Sequence, residues 1–526
     1  KPFWVMQLAL VQHCRYSISF QKLLLNALDA WIVQRVMFPV SWLFFIWGGL
    51  LSAAVDSESI APAACASKPW RVAREEFDPL VLLQTRVETP TGSLETPEAP
   101  SAIEDSLYHM RLTNFGNVQY ATRLTMGRQE MWGMIDTGSF DLAVFGADCA
   151  QCGRSAAYNS SLSLTYKEGS LTTDQRYGDE HLISVVGRDT LSIGPFTVAN
   201  QTFWNTRSAQ VFWLPNASFD AIIGLGPPEA PMADAWEIAD SAVSRVSAYY
   251  DLGLAAPDVV ASEAKRRVML ADEVSGILSP LRALNLTTFS ICLGSMPESD
   301  GFLVWNDSAA LTQPSLFGRV PVSGRHTWSA NLSDARLASK ARSTSFVIGC
   351  SQGCSALIDS GSSLLAVPGF IIDALRRKME FLDESCGNLH VLPDISFRLG
   401  DVEVSLPPSS YVARVVADGA RSLGLLAPQL YSERPCQLLL TETRARAEAG
   451  PIWILGMPFF RSYYTVFSTG ETKEARALYI APHGNGDCVP SSGLEEQNQK
   501  LLTIEADKIR LPQTVQLSAT EEFVNL

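Results

Sequence analysis

From Tyr108 onward the chain alternates apolar and polar positions in short runs broken by Gly and Asn, as in VQYATRLTMG, MWGMIDTGS and DTLSIGPFTVANQTFW. A period of two sends successive side chains to opposite faces of a strand, and the Gly and Asn clusters supply turns. The spacing therefore predicts short strands as far as about residue 228. A block rich in Ala, Glu and Lys follows at roughly 229–283, including ASEAKRRVMLADEV, and predicts helix. Strand texture resumes at TTFSICLG and GFLVWND, continues through ISFRLGDVEVSLPP and ends at YYTVFSTGETKEARALYIAP. Residues 491–526 are polar, rich in Glu and Gln and without strand periodicity, so a loose tail is expected there. Ahead of Tyr108, residues 88–105 (ETPTGSLETPEAPSAIED) read as an exposed linker. Residues 36–55 (VMFPVSWLFFIWGGLLSAAV) carry no charge and are long enough to span a bilayer.

Within the strand texture one short pattern occurs twice: MIDTGSFDLAVFG at 134–146 and LIDSGSSLLAVPG at 357–369. Each is an apolar run, then Asp, a hydroxyl residue, Gly and Ser, then a second apolar run ending at Gly. Asp136 and Asp359 are 223 positions apart, and each is followed by an apolar-apolar-Gly element: Ile222-Ile223-Gly224 88 positions on, and Ile454-Leu455-Gly456 97 positions on. Two matching elements in one order and at similar spacing predict two homologous β-rich halves, each offering one Asp from a tight turn. Gly in that turn permits a positive φ and close approach of a partner loop. Hydroxyls and backbone N–H groups orient the carboxylate. If the halves pack face to face, the two carboxylates meet at the seam, share one proton and titrate as a pair. The ionised member then serves as base toward a water and the protonated member donates to a carbonyl oxygen, which is sufficient to hydrolyse a peptide bond.

Composition narrows the classes without changing that picture. The 526 residues are long enough for two or three domains; they are 47% hydrophobic and 18% charged, a globular balance. A formal net charge of −14 argues against nucleic acid as a partner. Ten cysteines include two close pairs, Cys149/Cys152 and Cys350/Cys354. A C-x-x-C pair is either a redox motif, half a zinc site or a disulfide; with only six histidines, none clustered near these thiols, the metal reading is weak. Six Asn-x-Ser/Thr sequons, at Asn159, Asn200, Asn216, Asn285, Asn306 and Asn331, favour the secretory pathway and disulfides. Read from Met37, the apolar stretch 36–55 resembles a signal peptide with small residues Ser52 and Ala54 before a cut; with the upstream residues retained it is a signal anchor. No later apolar run would span a bilayer, so at most one membrane anchor is expected.

The two loops, together with FDAIIGLG, FSICLG, PDISF and WILGMPFFRSYYTVF, resemble the pepsin-like aspartic proteases, and within them the plasmepsin-like group of parasitic protists, from about Tyr108 to Pro482. The resemblance implies an all-β-dominated, bilobal fold with a catalytic cleft between two homologous lobes. It implies an aspartic endopeptidase made as a zymogen, monomeric, without metal or cofactor, acting on polypeptide substrates outside the cell or in an acidic vesicle or vacuole. Asp136 and Asp359 would be the catalytic pair. Thr137, Gly138, Ser139, Ser360, Gly361 and Ser362 would support them, Ser139 and Ser362 by hydrogen-bonding the outer carboxylate oxygens. Tyr177 and Gly178 would lie on a flap closing over substrate. The family's disulfides would be Cys149–Cys152, Cys350–Cys354 and Cys386–Cys436, leaving Cys292 and Cys488 to pair with each other or remain unassigned.

The implied organisation is an N-terminal region at 1–55 and a prosegment with linker at 56–107, whose Lys68, Arg71 or Arg74 would cover the acidic pair. An N-terminal lobe at 108–298 carries the insertion 229–283; a C-terminal lobe at 299–490 and the tail 491–526 follow. Some residues depart from the family pattern. Asp179, Glu180 and His181 follow Tyr-Gly on the flap, Phe140 and Ala143 stand where Ser and a flap-steadying Trp are usual, and Ser360 replaces Thr. These departures keep a second reading open: a catalytically silent protein of the same fold that binds peptides in its cleft. A membrane-anchored adhesion protein is a third and weaker reading.

Overall fold

The computed structural model describes residues 108–177, 180–211, 214–339, 344–379, 382–383, 385–416, 436–447, 449–483, 488–493 and 501–511. All of them belong to the unit Leu94–Leu526. The stretch 36–55, the expected prosegment 56–107 and the linker lie outside the described residues. Among the described residues no helix is long and apolar enough to cross a membrane.

Strands dominate, in sheets of thirteen, nine and three strands. The repeat seen in the sequence is a repeat of topology. In the first half, Gln129–Asp136 runs parallel to Ala221–Gly224, pairing Asp136 with Gly224, while Leu142–Ala150 lies antiparallel on the other side of Ala221–Gly224. In the second half, Cys354–Ile358 runs parallel to Gly450–Leu455, and Leu365–Pro368 pairs antiparallel with it through Ala366 and Ile454. Each Asp thus leaves the buried end of a central strand, and the chain must pass around the apolar-apolar-Gly strand to return. Glycine is required where the two backbones cross. A Cβ on Gly224 would lie 2.5 Å from both the amide nitrogen and the carbonyl oxygen of Asp141, and one on Gly456 would strike the carbonyls of Ser362 and Leu364.

The halves are joined by a shared sheet. Thr288–Leu293 of the first half pairs antiparallel with Tyr463–Ser468 of the second, and Phe289 stacks on Phe467 at a centroid distance of 4.7 Å. Buried Trp305, Trp328 and Phe460 pack in the same core. The lobe division expected at 298/299 falls in the turn of a hairpin, since Gly301–Trp305 pairs antiparallel with Thr288–Leu293. Gly301–Trp305 still belongs to the shared sheet, and Gly318–Pro321 adds to its edge by pairing with Ala477–Pro482. The block expected to be helical does form a helical pair, Ala230–Asp251 and Asp258–Val274, seated on the first lobe through Ala235, Ala239, Ala271 and Val274. Among the described residues four disulfides are closed: Cys149–Cys152, Cys350–Cys354, Cys386–Cys436 and Cys292–Cys488.

The expectation of a loose tail does not hold for its described part. Leu502–Glu505 is a strand, added parallel to Val412–Val416 with Ala413 opposite Leu502, and a short 3-10 turn, Ala506–Lys508, follows. Leu502, Ile504, Ala506 and Ile509 are buried with Val118, Leu364, Ala413 and Leu439, residues of both halves. Burying that apolar row offsets the ordering of a polar segment.

Candidate active site

The two Asp-hydroxyl-Gly turns meet at the seam of the halves and grip each other with near two-fold symmetry. The Thr137 hydroxyl accepts the Ser360 amide at 2.9 Å and donates to the Ile358 carbonyl at 2.8 Å. The Ser360 hydroxyl accepts the Thr137 amide at 3.1 Å and donates to the Ile135 carbonyl at 2.8 Å. A hydroxyl is the smallest group that both accepts and donates here, which is why Thr and Ser serve equally.

Within each turn the carboxylate is oriented by the residues that follow it. The Gly138 amide donates to Asp136 Oδ1 at 2.9 Å and the Ser139 hydroxyl to Oδ2 at 2.9 Å. In the second turn the Gly361 amide donates to Asp359 Oδ1 at 2.9 Å and the Ser362 hydroxyl to Oδ2 at 2.5 Å. Each glycine lies against the opposite carboxylate: a Cβ on Gly138 would sit 2.5 Å from Asp359 Oδ1, and one on Gly361 would strike Asp136 Oδ1. Neither Gly138 nor Gly361 has a positive φ. The positive φ that glycine would permit is not used here; the close approach is, and it alone excludes a side chain.

Asp136 and Asp359 are 1% and 4% exposed, so burial raises the cost of charging both, and a charge on Asp136 raises the cost of charging Asp359 further. Their proton affinities separate in opposite directions. On Asp359, burial and the neighbouring charge of Asp136 push the carboxyl up to about 7. On Asp136, burial also pushes upward but is overcome by the charge and hydrogen bond of Arg510, with help from Ser139 and Asp359, leaving that carboxyl below its ordinary value. Arg510 lies in the segment expected to be a loose tail. Its guanidinium donates to Asp136 Oδ2 at 2.9 Å and to the Gly361 carbonyl at 3.2 Å, with both side chains of the ion pair buried.

Of the remaining candidates, Tyr177 ends the first strand of a long pair, Lys167–Tyr177 and Glu180–Ile193, and stands opposite Glu180 in register. Gly178 and Asp179 lie outside the described residues. Ala143 pairs in register with Trp204 of the neighbouring parallel strand, and both are in one buried cluster, so an indole stands next to the position where the family's Trp is absent. Among the described residues no three His, Cys, Asp or Glu side chains converge as metal ligands would.

The sequence profile of the eukaryotic aspartyl proteases matches residues 119–477, well over half the chain. The chain belongs to the eukaryotic aspartyl protease family. Its aspartyl protease relatives include pepsin A of Bos taurus, 26% identical over 69% of this chain and 84% of that protein. Cathepsin E of Cavia porcellus is 26% identical over 69% of this chain and 81% of its own length, and pepsin-3 of Oryctolagus cuniculus 25% identical over 73% and 87%. These relatives carry the pepsin-like aspartyl protease assignment; the plasmepsin-like subgroup rests on motif wording alone.

Proposed function

We propose that this aspartyl protease hydrolyses peptide bonds in extended polypeptide segments, with Asp136 and Asp359 as a shared-proton pair. The supporting observation is the pair of mutually gripped turns that bring two buried carboxyls to one seam, each held by a Gly amide and a Ser hydroxyl. Asp136, ionised, takes a proton from a water as its oxygen attacks the scissile carbonyl carbon; Asp359, protonated, gives its proton to the carbonyl oxygen. The resulting gem-diol collapses when Asp136 passes its proton to the amide nitrogen, the C–N bond breaks, and a gem-diol proton returns to Asp359. The hairpin ending at Tyr177 is the candidate flap.

Synthesis in the secretory pathway is supported by four disulfides and by the exposure of Asn200, Asn216, Asn285, Asn306 and Asn331, five of the six sequon asparagines. Residues 56–107 are proposed as a prosegment and the enzyme as a monomer in an extracellular or acidic vesicular setting. The purified protein, acidified and given an unfolded polypeptide, should cleave it, and a statine-containing peptide should stop cleavage. No cleavage after verified removal of the prosegment, with the statine peptide still bound, would instead support the silent peptide-binding reading.

A further inference from the structure

The segment 501–511 is held as a bound peptide would be. Its first part adds a strand to the sheet edge at Val412–Val416. Farther along, side chains of the first half clasp its backbone: Asn117 Nδ2 donates to the Thr503 carbonyl at 2.8 Å and Gln119 Nε2 to the Lys508 carbonyl at 2.9 Å. Gln119 is itself fixed, because its Oε1 accepts the Ser218 amide. At Arg510 the second half takes over. The Ser363 amide donates to the Arg510 carbonyl at 3.0 Å, and the Arg510 amide donates to the Ser363 hydroxyl at 3.0 Å. That hydroxyl hands its own proton to the Val118 carbonyl, so its acceptor role toward Arg510 is set. Ile509 is extended, with φ −67 and ψ 126. A main-chain clasp at a residue four positions past Asp359, with the side chain delivered to Asp136, is an arrangement suited to an extended ligand across the carboxyl pair.

We propose that residues 502–511 are a built-in occupant of the substrate groove, with Arg510 covering Asp136 and excluding both water and substrate until the segment is displaced. This rests on the reading of Asp136 and Asp359 as the peptidase pair. A guanidinium hydrogen-bonded to Asp136 takes the place and the acceptor lone pair that an attacking water needs. Because the segment is tethered, it competes with substrate at an effective concentration on the order of millimolar.

The test compares the full chain with Arg510→Gln. Removing the guanidinium should raise kcat/KM on an unfolded polypeptide about ten- to a hundredfold, the factor expected if the open groove is about 1–10% populated. Binding of a statine-containing peptide should tighten by the same factor. A synthetic peptide of residues 502–511 should reverse the gain, and the same peptide with Gln in place of Arg should not. If both chains turn over and bind the statine peptide equally while Asp359→Ala abolishes turnover, the occupant proposal is overturned and the catalytic reading stands. If neither chain cleaves or binds the statine peptide, both fall. Should Arg510→Gln fail to fold, the unmutated chain still decides: saturating statine peptide should release the Arg510 amide, which donates to Ser363, to hydrogen exchange, and retained protection with the ligand bound overturns the proposal.

Discussion

The first and second Asp turns are almost the same object in backbone terms and different objects electrically. Each presents its carboxylate to a Gly amide and a Ser hydroxyl, and each lends a hydroxyl to the other. Yet Arg510 bonds Asp136 and not Asp359, so the first carboxyl is held ionised and the second retains a proton up to about 7. The repeat sets where the carboxyls stand; while Arg510 is seated on Asp136, a residue outside the repeat sets which of them carries the proton.

The largest effect expected from breaking the comparison is loss of either carboxyl. Asp136→Ala and Asp359→Ala should each reduce turnover by about 10²–10⁴-fold or to background, with folding intact by circular dichroism. Unequal loss by more than tenfold would argue that the two turns are not partners in one step. Next comes the grip. Thr137→Val keeps the shape but strands the buried Ser360 amide and the Ile358 carbonyl, and should cost about 2–4 kcal/mol in denaturant unfolding. Ser360→Thr retains both hydrogen bonds and should stay within about 1 kcal/mol of the parent.

The Asp turns and the Gly224 and Gly456 elements were legible because local chemistry demands the same residue types in both halves; the hydroxyls of Thr137 and Ser360, expected to orient the carboxylates, instead grip the opposite turn. Asp, a hydroxyl, a glycine with no room for Cβ and a serine leave a readable string. The shared sheet was less legible: Thr288–Leu293 meets Tyr463–Ser468 across the whole second lobe, and no local pattern names that partner. This is why the turn before Gly301 read as a boundary. Arg510 was missed because its segment has only four strand residues. A signal did exist in the alternation of Leu502 and Ile504 with Thr503 and Glu505, and in Ile509 and Leu511 flanking a lone Arg, but a short polar stretch is stabilised by what it packs against.

The Arg510→Gln gain described above is the third effect in size, and its pH dependence is the smallest. Arg510 lowers both carboxyls, so its removal should move both limbs of the kcat/KM–pH profile to higher pH. Stability has its own signs. Asp359, raised in the folded state, contributes stability that is fully present below its ordinary value and lost as pH rises through about 7. Asp136, lowered, contributes stability present above its ordinary value and lost as pH falls through its folded one. Thermal unfolding followed from pH 3 to pH 8 in both chains would separate these trends, and only the Asp136 contribution should shrink in Arg510→Gln.

The most direct test of the asymmetry is a ¹³C titration of the aspartate carboxyls in the full chain, assigned by Asp136→Asn and Asp359→Asn. One carboxyl should remain ionised below the ordinary aspartate range and its partner should take up a proton near pH 7, the split narrowing in Arg510→Gln. Two carboxyls titrating independently near pH 4, indifferent to Arg510, would contradict the account.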